Sequence, residues 1–191
     1  MSGVGASLRQ MLVRLIAHTQ LEKSFRESLE KALLGQIPDG QVTAFTAIRT
    51  CYSSKSPSSI PAEDGEKYFL EKTEVGDTRA ERLFRRIARH LQLSTLEHLA
   101  GTFAVEGISR ACLAQLSRHR HISLSVQSQR YVDMKETDFI IPPSIGNPST
   151  NTEAAYMEFV TQSQDMYRRL RESGVPPEDA RMVLPAAVTT N

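Results

Sequence analysis

Residues 108–132 carry no carboxylate, yet within them the run 115–131 (QLSRHRHISLSVQSQRY) sets Arg118, His119, Arg120, His121 and Arg130 among hydroxyl and amide side chains. Any fold of this chain must accommodate that. A core strand would alternate apolar and polar residues, and a solvated helix face would carry acids among its bases. The whole chain holds 23 Lys and Arg against 22 Asp and Glu, a net charge of +1. The positive charge is therefore local, and a balanced chain is not expected to coat nucleic acid or an anionic membrane. The bases either pair with acids elsewhere, such as Glu97, Glu106 or Asp133, or bind an anion from outside; the pattern favours the anion.

With 191 residues, 40% of them hydrophobic, the chain is expected to form a single domain over residues 1–191 with a buried core. Cys51 and Cys112 make neither a disulfide framework nor a metal-type pair. With no apolar signal segment, that predicts a cytoplasmic protein with free thiols. The apolar runs are too short to span a bilayer.

The chain mixes helices and strands. Residues 11–17 read as a strand interrupted by Arg14, and residues 21–34 as an amphipathic helix ended by Gly35 and Pro38. Residues 41–52 form a second helix with Ala44, Ala47, Ile48 and Cys51 on one face. The turn-rich segment 53–65 is expected to be a mobile loop. Thr78 and Glu81 make a capping box for a helix with Leu83, Phe84, Ile87 and Ala88 inside, and with Arg82, Arg85, Arg86 and Arg89 as a solvated face. A strand follows over 99–105, broken by Gly107. Ser109 caps a short helix with Ala111, Cys112, Leu113 and Leu116 inside. After a short edge strand over 138–143, Thr150 and Glu153 mark another capping box. Its long helix has Ala155, Met157, Phe159, Val160, Met166, Tyr167 and Leu170 as its apolar face and Gly174 as its stop. A short proline-started helix then carries Arg181.

The chemistry of the central run follows from its side chains. Arginine offers a planar donor fork that meets two phosphate oxygens at once. Ser123, Ser125 and Ser128 can donate to a phosphate or a base carbonyl, and Gln115, Gln127 and Gln129 present amide edges that can read a pyrimidine. His119 and His121 would share one face of a strand, but no further ligand of familiar spacing joins them or His90 and His98, so no metal site is expected. Cys112 on an apolar helix face reads as core, and Cys51 has no histidine near it in sequence, so neither is an expected nucleophile. Glu97 and His98 read more simply as a helix-start pair than as an acid and base.

Arg118-His119-Arg120, seven residues, Ser128, then Gln129-Arg130-Tyr131 resembles the signature of the flavin-dependent thymidylate synthases. Further blocks match in order: Leu15 to Thr19, Ala47 to Ser53, Ser94 to His98, Phe103 to Arg110 and Ala180 to Pro185. The resemblance implies an α/β (α+β) fold with a mixed, largely antiparallel sheet flanked by helices, assembled as a homotetramer. It implies methylation of dUMP to dTMP with FAD, NADPH and methylenetetrahydrofolate, without an enzyme nucleophile, so no catalytic residue is assigned. By matching positions, Ser94, Arg118, His119 and Arg120 would contact the flavin, and Gln115, Arg118, Ser128, Gln129, Arg130 and Arg181 would contact dUMP. Three departures stand beside this. Leu91-Gln92 replaces the family's Gly-His, Val126 replaces Glu or Gln, and relatives continue beyond the Thr-Asn end with a helical segment bearing an arginine. The second expectation is therefore a truncated or reduced paralogue that binds nucleotide and flavin without turnover.

Overall fold

The computed structural model describes residues 11–30, 36–149 and 152–191. The chain divides into two compact units, Leu15–Phe103 and Ala104–Asn191 with the chain up to Arg14. Its elements in order are β1 (Leu12–His18), α1 (Lys23–Glu30), α2 (Asp39–Thr50), α3 (Ile60–Gly65), α4 (Arg79–Arg89), β2 (Gly101–Glu106), β3 (Ile108–Ser109), α5 (Arg110–Leu116), α6 (Glu153–Glu172), α7 (Pro177–Ala180) and β4 (Thr189–Thr190). This is the expected mixture of helix and strand, with the strands in two two-stranded sheets, β1 with β2 and β3 with β4. No helix among the described residues is long and apolar enough to cross a membrane. The expected helix over 21–34 is seen as α1, and residues 31–35 lie outside the described residues.

In the unit Leu15–Phe103, the core is Leu29, Val42, Phe45, Ile60, Phe69 and Ala80. Phe45 sits at its centre, with its ring centroid 5.0 Å from Tyr68 and 5.1 Å from Phe69. The helix expected over 41–52 forms as α2, but its inner face is Val42, Ala44, Phe45 and Ile48 while Cys51 is exposed. Segment 53–65, expected as a loop, is turn-rich to Ser59 and then becomes α3, whose Ile60 and Pro61 are buried. A charged clamp ties it down. Asp64 accepts from Lys55 Nζ at 2.5 Å and from Arg49 Nη2 at 2.9 Å, and Arg49 also lies 5.3 Å over the Tyr68 ring.

The Thr78–Glu81 capping box is present in full, with the Glu81 amide donating to Thr78 Oγ1 at 3.2 Å and the Thr78 amide donating to Glu81 Oε2 at 2.8 Å. That satisfies two amides which would otherwise lack partners at the start of α4. The helix ends in a Schellman arrangement: the Gln92 amide donates to Ile87 O and the Leu91 amide to Ala88 O, both at 3.3 Å. Leu91 occupies the left-handed position of that motif at φ +55°, where glycine is usual because it has no Cβ to clash.

In the other unit, the core is Met134, Phe139, Val160, Tyr167, Ala180 and Val188. Helix α6 buries Val160, Ser163, Gln164 and Tyr167. Phe159 and Met166, expected on this face, are 57% and 45% exposed, because they lie seven residues apart along a different side of the helix. Thr150 lies outside the described residues; Thr152 is the N-cap and makes no side-chain cap bond. At the other end Gly174, at φ +85°, supplies the left-handed stop. The edge strand expected over 138–143 is reduced to a bridge between Phe139 and Val188, flanked by an amide bond from Ile140 to Ala187 O.

Lys55, then burial acting in the opposite sense, then Arg49 set the titration of Asp64, whose net effect is a pKa below the usual carboxylate value. A depressed carboxylate contributes stability that is present above its unfolded pKa, about 3.9, and lost as pH falls through the folded value. Asp64→Asn is therefore expected to lower stability at pH 7 by about 2 kcal/mol. In urea titrations the gap to the wild type should close as pH drops below about 4; a gap independent of pH would remove the clamp from the account.

Candidate functional site

The acid-free run begins where α5 ends. Ser109 Oγ accepts from the Cys112 amide at 3.0 Å and starts the helix as expected; Gly107 before it turns the chain at φ +69°. Yet no residue of α5 is buried, and Cys112 is exposed rather than core. The helix has the apolar spacing of an inner face, with no layer among the described residues burying it.

After α5 the backbone coils through successive turns, with the Arg118 amide donating to Gln115 O and the His119 amide to Leu116 O, each at 3.1 Å. This replaces the strand in which His119 and His121 would share a face. Arg118, His119 and Arg120 are all exposed and line an open depression of about 640 Å³ with Leu116, His121 and Ile122. No group of three or more His, Cys, Asp or Glu suited to a metal occurs among the described residues.

The continuation 127–130 is fixed more tightly. The Gln127 amide donates to the Asn191 carbonyl at 3.2 Å, and Arg110 Nη2 donates to the Gln127 carbonyl. Ser128 Oγ accepts from the Arg130 amide at 3.2 Å, and the Ser128 carbonyl accepts from the Val132 amide at 2.9 Å. Downstream, α6 holds the same strip. Gln164 Nε2 donates to the carbonyls of Met134 and Lys135 at 2.7 and 2.6 Å, and Tyr167 Oη accepts from the Met134 amide at 3.1 Å. Arg130 remains exposed, its guanidinium 5.9 Å from the Tyr131 ring.

The pairing alternative is answered by the ion pairs. Asp133 is taken by Arg171 at 3.3 Å and Lys135 at 3.8 Å. Among the described residues, no carboxylate stands within ion-pair distance of Arg118, Arg120 or Arg130.

The structure adds Arg110, which the sequence reading passed over. It opens α5 directly after the β3 strand, where Ile108 pairs with Thr190 and Ser109 with Thr189. Its Nε is buried with no hydrogen-bond partner, as is Nε2 of Gln129. Burial first, and then the charge of Arg181, hold its pKa below the usual guanidinium value. Two cations brought near one another without an acid, beside two orphaned donors, form the receptor half of an anion site. Arg181 is half-buried in the 3-10 turn after α7, oriented by its Nε bond to Glu178 O at 3.0 Å. The advance signals for Arg110 were its position inside the acid-free run and at the end of the matching block Phe103 to Arg110.

Of the expected site residues, Gln115, Arg118, His119, Arg120, Ser128, Gln129, Arg130 and Arg181 therefore belong to one unit. Ser94 belongs to the other, exposed in the 3-10 turn Leu93–Leu96. Two residues before it, Gln92 Oε1 accepts from Tyr52 Oη at 3.0 Å.

An α+β chain with an acid-free set of guanidinium, hydroxyl and amide donors has the makeup of an anion-binding protein. The family model described as thymidylate synthase complementing protein matches residues 32–191, and the chain belongs to that family. It is 32% identical over 170 residues to the flavin-dependent thymidylate synthase of Haloarcula marismortui, covering 74% of this chain and 69% of that one. It is 39% identical over 162 residues to the enzyme of that name from Geobacter sulfurreducens, covering 83% of this chain and 64% of that one. With the Halobacterium salinarum relative it shares 37% identity over 144 residues, and it spans 58% of that protein's length. The fold is similar to that of the UMP/dUMP methylase PolB from Streptomyces cacaoi, solved with 5-Br dUMP. The TM-score is 0.62 at 21% identity, over 95% of this chain and 70% of that one.

Helices α6 and α4 each close with a Schellman motif, one on Gly174 and one on Leu91. The second holds a branched residue, 76% exposed, where its Cβ is strained. Leu91→Gly is expected to stabilise the protein by about 1 kcal/mol, raising the melting temperature by about 2–4 °C. An unchanged or lower melting temperature would show that no strain resides there.

Proposed function

We propose that the chain is, or is the greater part of, an enzyme that methylates dUMP to dTMP with FAD, methylenetetrahydrofolate and NADPH. The observation that carries this is the anion receptor built from Arg110, Arg181 and the 128–130 strip, in a member of the thymidylate synthase complementing family. The residues fit both groups. Orphaned donors at Arg110 and Gln129 suit a phosphate and a carbonyl, and the exposed Arg118–His119–Arg120 turn suits an anionic, electron-rich flavin.

In this reading Arg110, Arg130 and Arg181 hold the dUMP phosphate and Ser128 donates to it. Gln115 and Gln129 orient the pyrimidine, and Arg118 lies between nucleotide and flavin. Ser94, His119 and Arg120 contact the flavin. FAD, when bound, supplies the reducing hydride. The protein contributes position and a fixed field, which is where binding energy accelerates a reaction that needs no enzyme nucleophile.

The working form is an assembly of copies, a homotetramer. In support, every residue of β1 is exposed, including Leu12, Val13, Leu15 and Ile16 at 45–60%, as is Phe103 of β2 at 55%. With the uncovered face of α5, this is more apolar surface than a lone chain ordinarily leaves wet. Location in the cytoplasm suits the two exposed free thiols, Cys51 and Cys112. A second reading, binding without turnover, draws on Gln92, which is engaged by Tyr52 where the family's pattern has histidine.

The deciding assay supplies FAD, dUMP, methylenetetrahydrofolate and NADPH and follows dTMP by chromatography. The enzyme reading predicts flavin-dependent dTMP, and Arg130→Ala should weaken dUMP binding by about 2 kcal/mol. Flavin and dUMP binding without dTMP would favour the second reading. A protein that takes up neither FAD nor dUMP would overturn both.

A further inference from the structure

The unit Leu15–Phe103 carries a second concentration of unpaired positive charge. A cleft of about 1140 Å³ lies between the turn that precedes α4 and the outer face of that helix. Arg79, Arg82, Arg86 and Arg89 recur along it at three- and four-residue spacing, so their side chains leave one helix face over roughly 15 Å. From the turn side come Lys72 and Thr73 with two carboxylates, Glu74 and Asp77, against the six Lys and Arg residues that line the cleft.

The charges here are not balanced within the protein. Arg79 pairs with Glu71 at 3.1 Å and Arg85 with Asp77 at 2.5 Å. Asp77, already held by Arg85, feels the charge of Arg82 without pairing with it. Among the described residues, Lys72, Arg82, Arg86 and Arg89 have no carboxylate within ion-pair distance. Solvated arginines on a helix face are ordinary; Thr73 is not. Its backbone is fixed by bonds to Asp77 O at 2.7 Å and from the Gly76 amide at 2.8 Å, yet its hydroxyl is buried and has no partner. A buried hydroxyl in a cationic cleft awaits an acceptor.

We propose that this cleft binds a short oligophosphate chain, either inorganic or as the tail of a nucleoside triphosphate. Linked phosphates concentrate several negative charges on a narrow chain, and each offers paired oxygens to a guanidinium fork. The Thr73 hydroxyl donates to one of them. Single-stranded nucleic acid is disfavoured because it needs free stacking surfaces. The aromatic side chain here, Tyr68, is engaged by Phe45 at 5.0 Å and by Arg49 at 5.3 Å. The proposal is independent of the dUMP reading, since it uses none of those residues.

Isothermal titration of the full chain with tripolyphosphate tests it. Binding is expected, and the double variant Arg82→Ala/Arg86→Ala should weaken it by at least about tenfold with circular dichroism unchanged. Thr73→Val, which keeps the shape and removes the hydroxyl, should also weaken it. ATP binding as tightly as tripolyphosphate would assign the site to the phosphate chain alone, and tighter binding would add the nucleoside. The proposal is overturned if tripolyphosphate gives no saturable binding, or if the double variant binds it equally well. Tighter binding of an oligo-γ-glutamate or a single-stranded oligonucleotide of matched charge would also overturn it.

Discussion

The guanidinium of Arg110 is the interaction on which the site depends. It donates through Nη2 to the carbonyl of Gln127, with Arg181 adding a second charge nearby. Even partial burial of a cation without an acid is unfavourable, and leaving one buried donor unmade costs about 1–3 kcal/mol. The fold tolerates this because the surrounding backbone is over-determined: the Arg110 and Ala111 amides are bonded to Val188 and Ala186, and the Gln127 amide to Asn191. An anion that arrives there meets donors already in place, so it need not order them. That is what preorganisation would mean for the proposed phosphate site.

The same reasoning explains the uncovered apolar surface. Strand β1 and helix α5 were legible in sequence as apolar elements, one by its run of apolar residues around Arg14 and the other by its spacing. In the single chain neither is buried. Periodicity reports that a face is apolar, not what covers it. Phe159 and Met166 on α6 carry the same message. The surfaces left exposed lie on β1 and on α5, the helix leading into the arginine turn.

Where signals were local, the sequence could be read closely. The Thr78 capping box, the Ser109 cap, the turn at Gly107 and the stop at Gly174 all depend on residues within a few positions of one another. Longer-range features were hidden. Nothing local announced that Asp64 would gather Lys55 and Arg49, and so a segment with the composition of a loop became partly helical. The second Schellman stop escaped notice because Leu91 occupies the glycine position. Of the site, the arginine turn and the 128–130 strip were visible as an acid-free run, and the role of Arg110 within that run was not, because its bond to the Gln127 carbonyl joins residues 17 apart.

The central claim is that the buried, unpartnered donors around Arg110 receive a nucleotide phosphate. A crystal structure of the protein with dUMP tests it most directly. The account predicts the phosphate within hydrogen-bonding distance of Arg110 Nε, with Arg130 and Arg181 on its other oxygens. A phosphate bound elsewhere, with Arg110 Nε still without a partner, would contradict it.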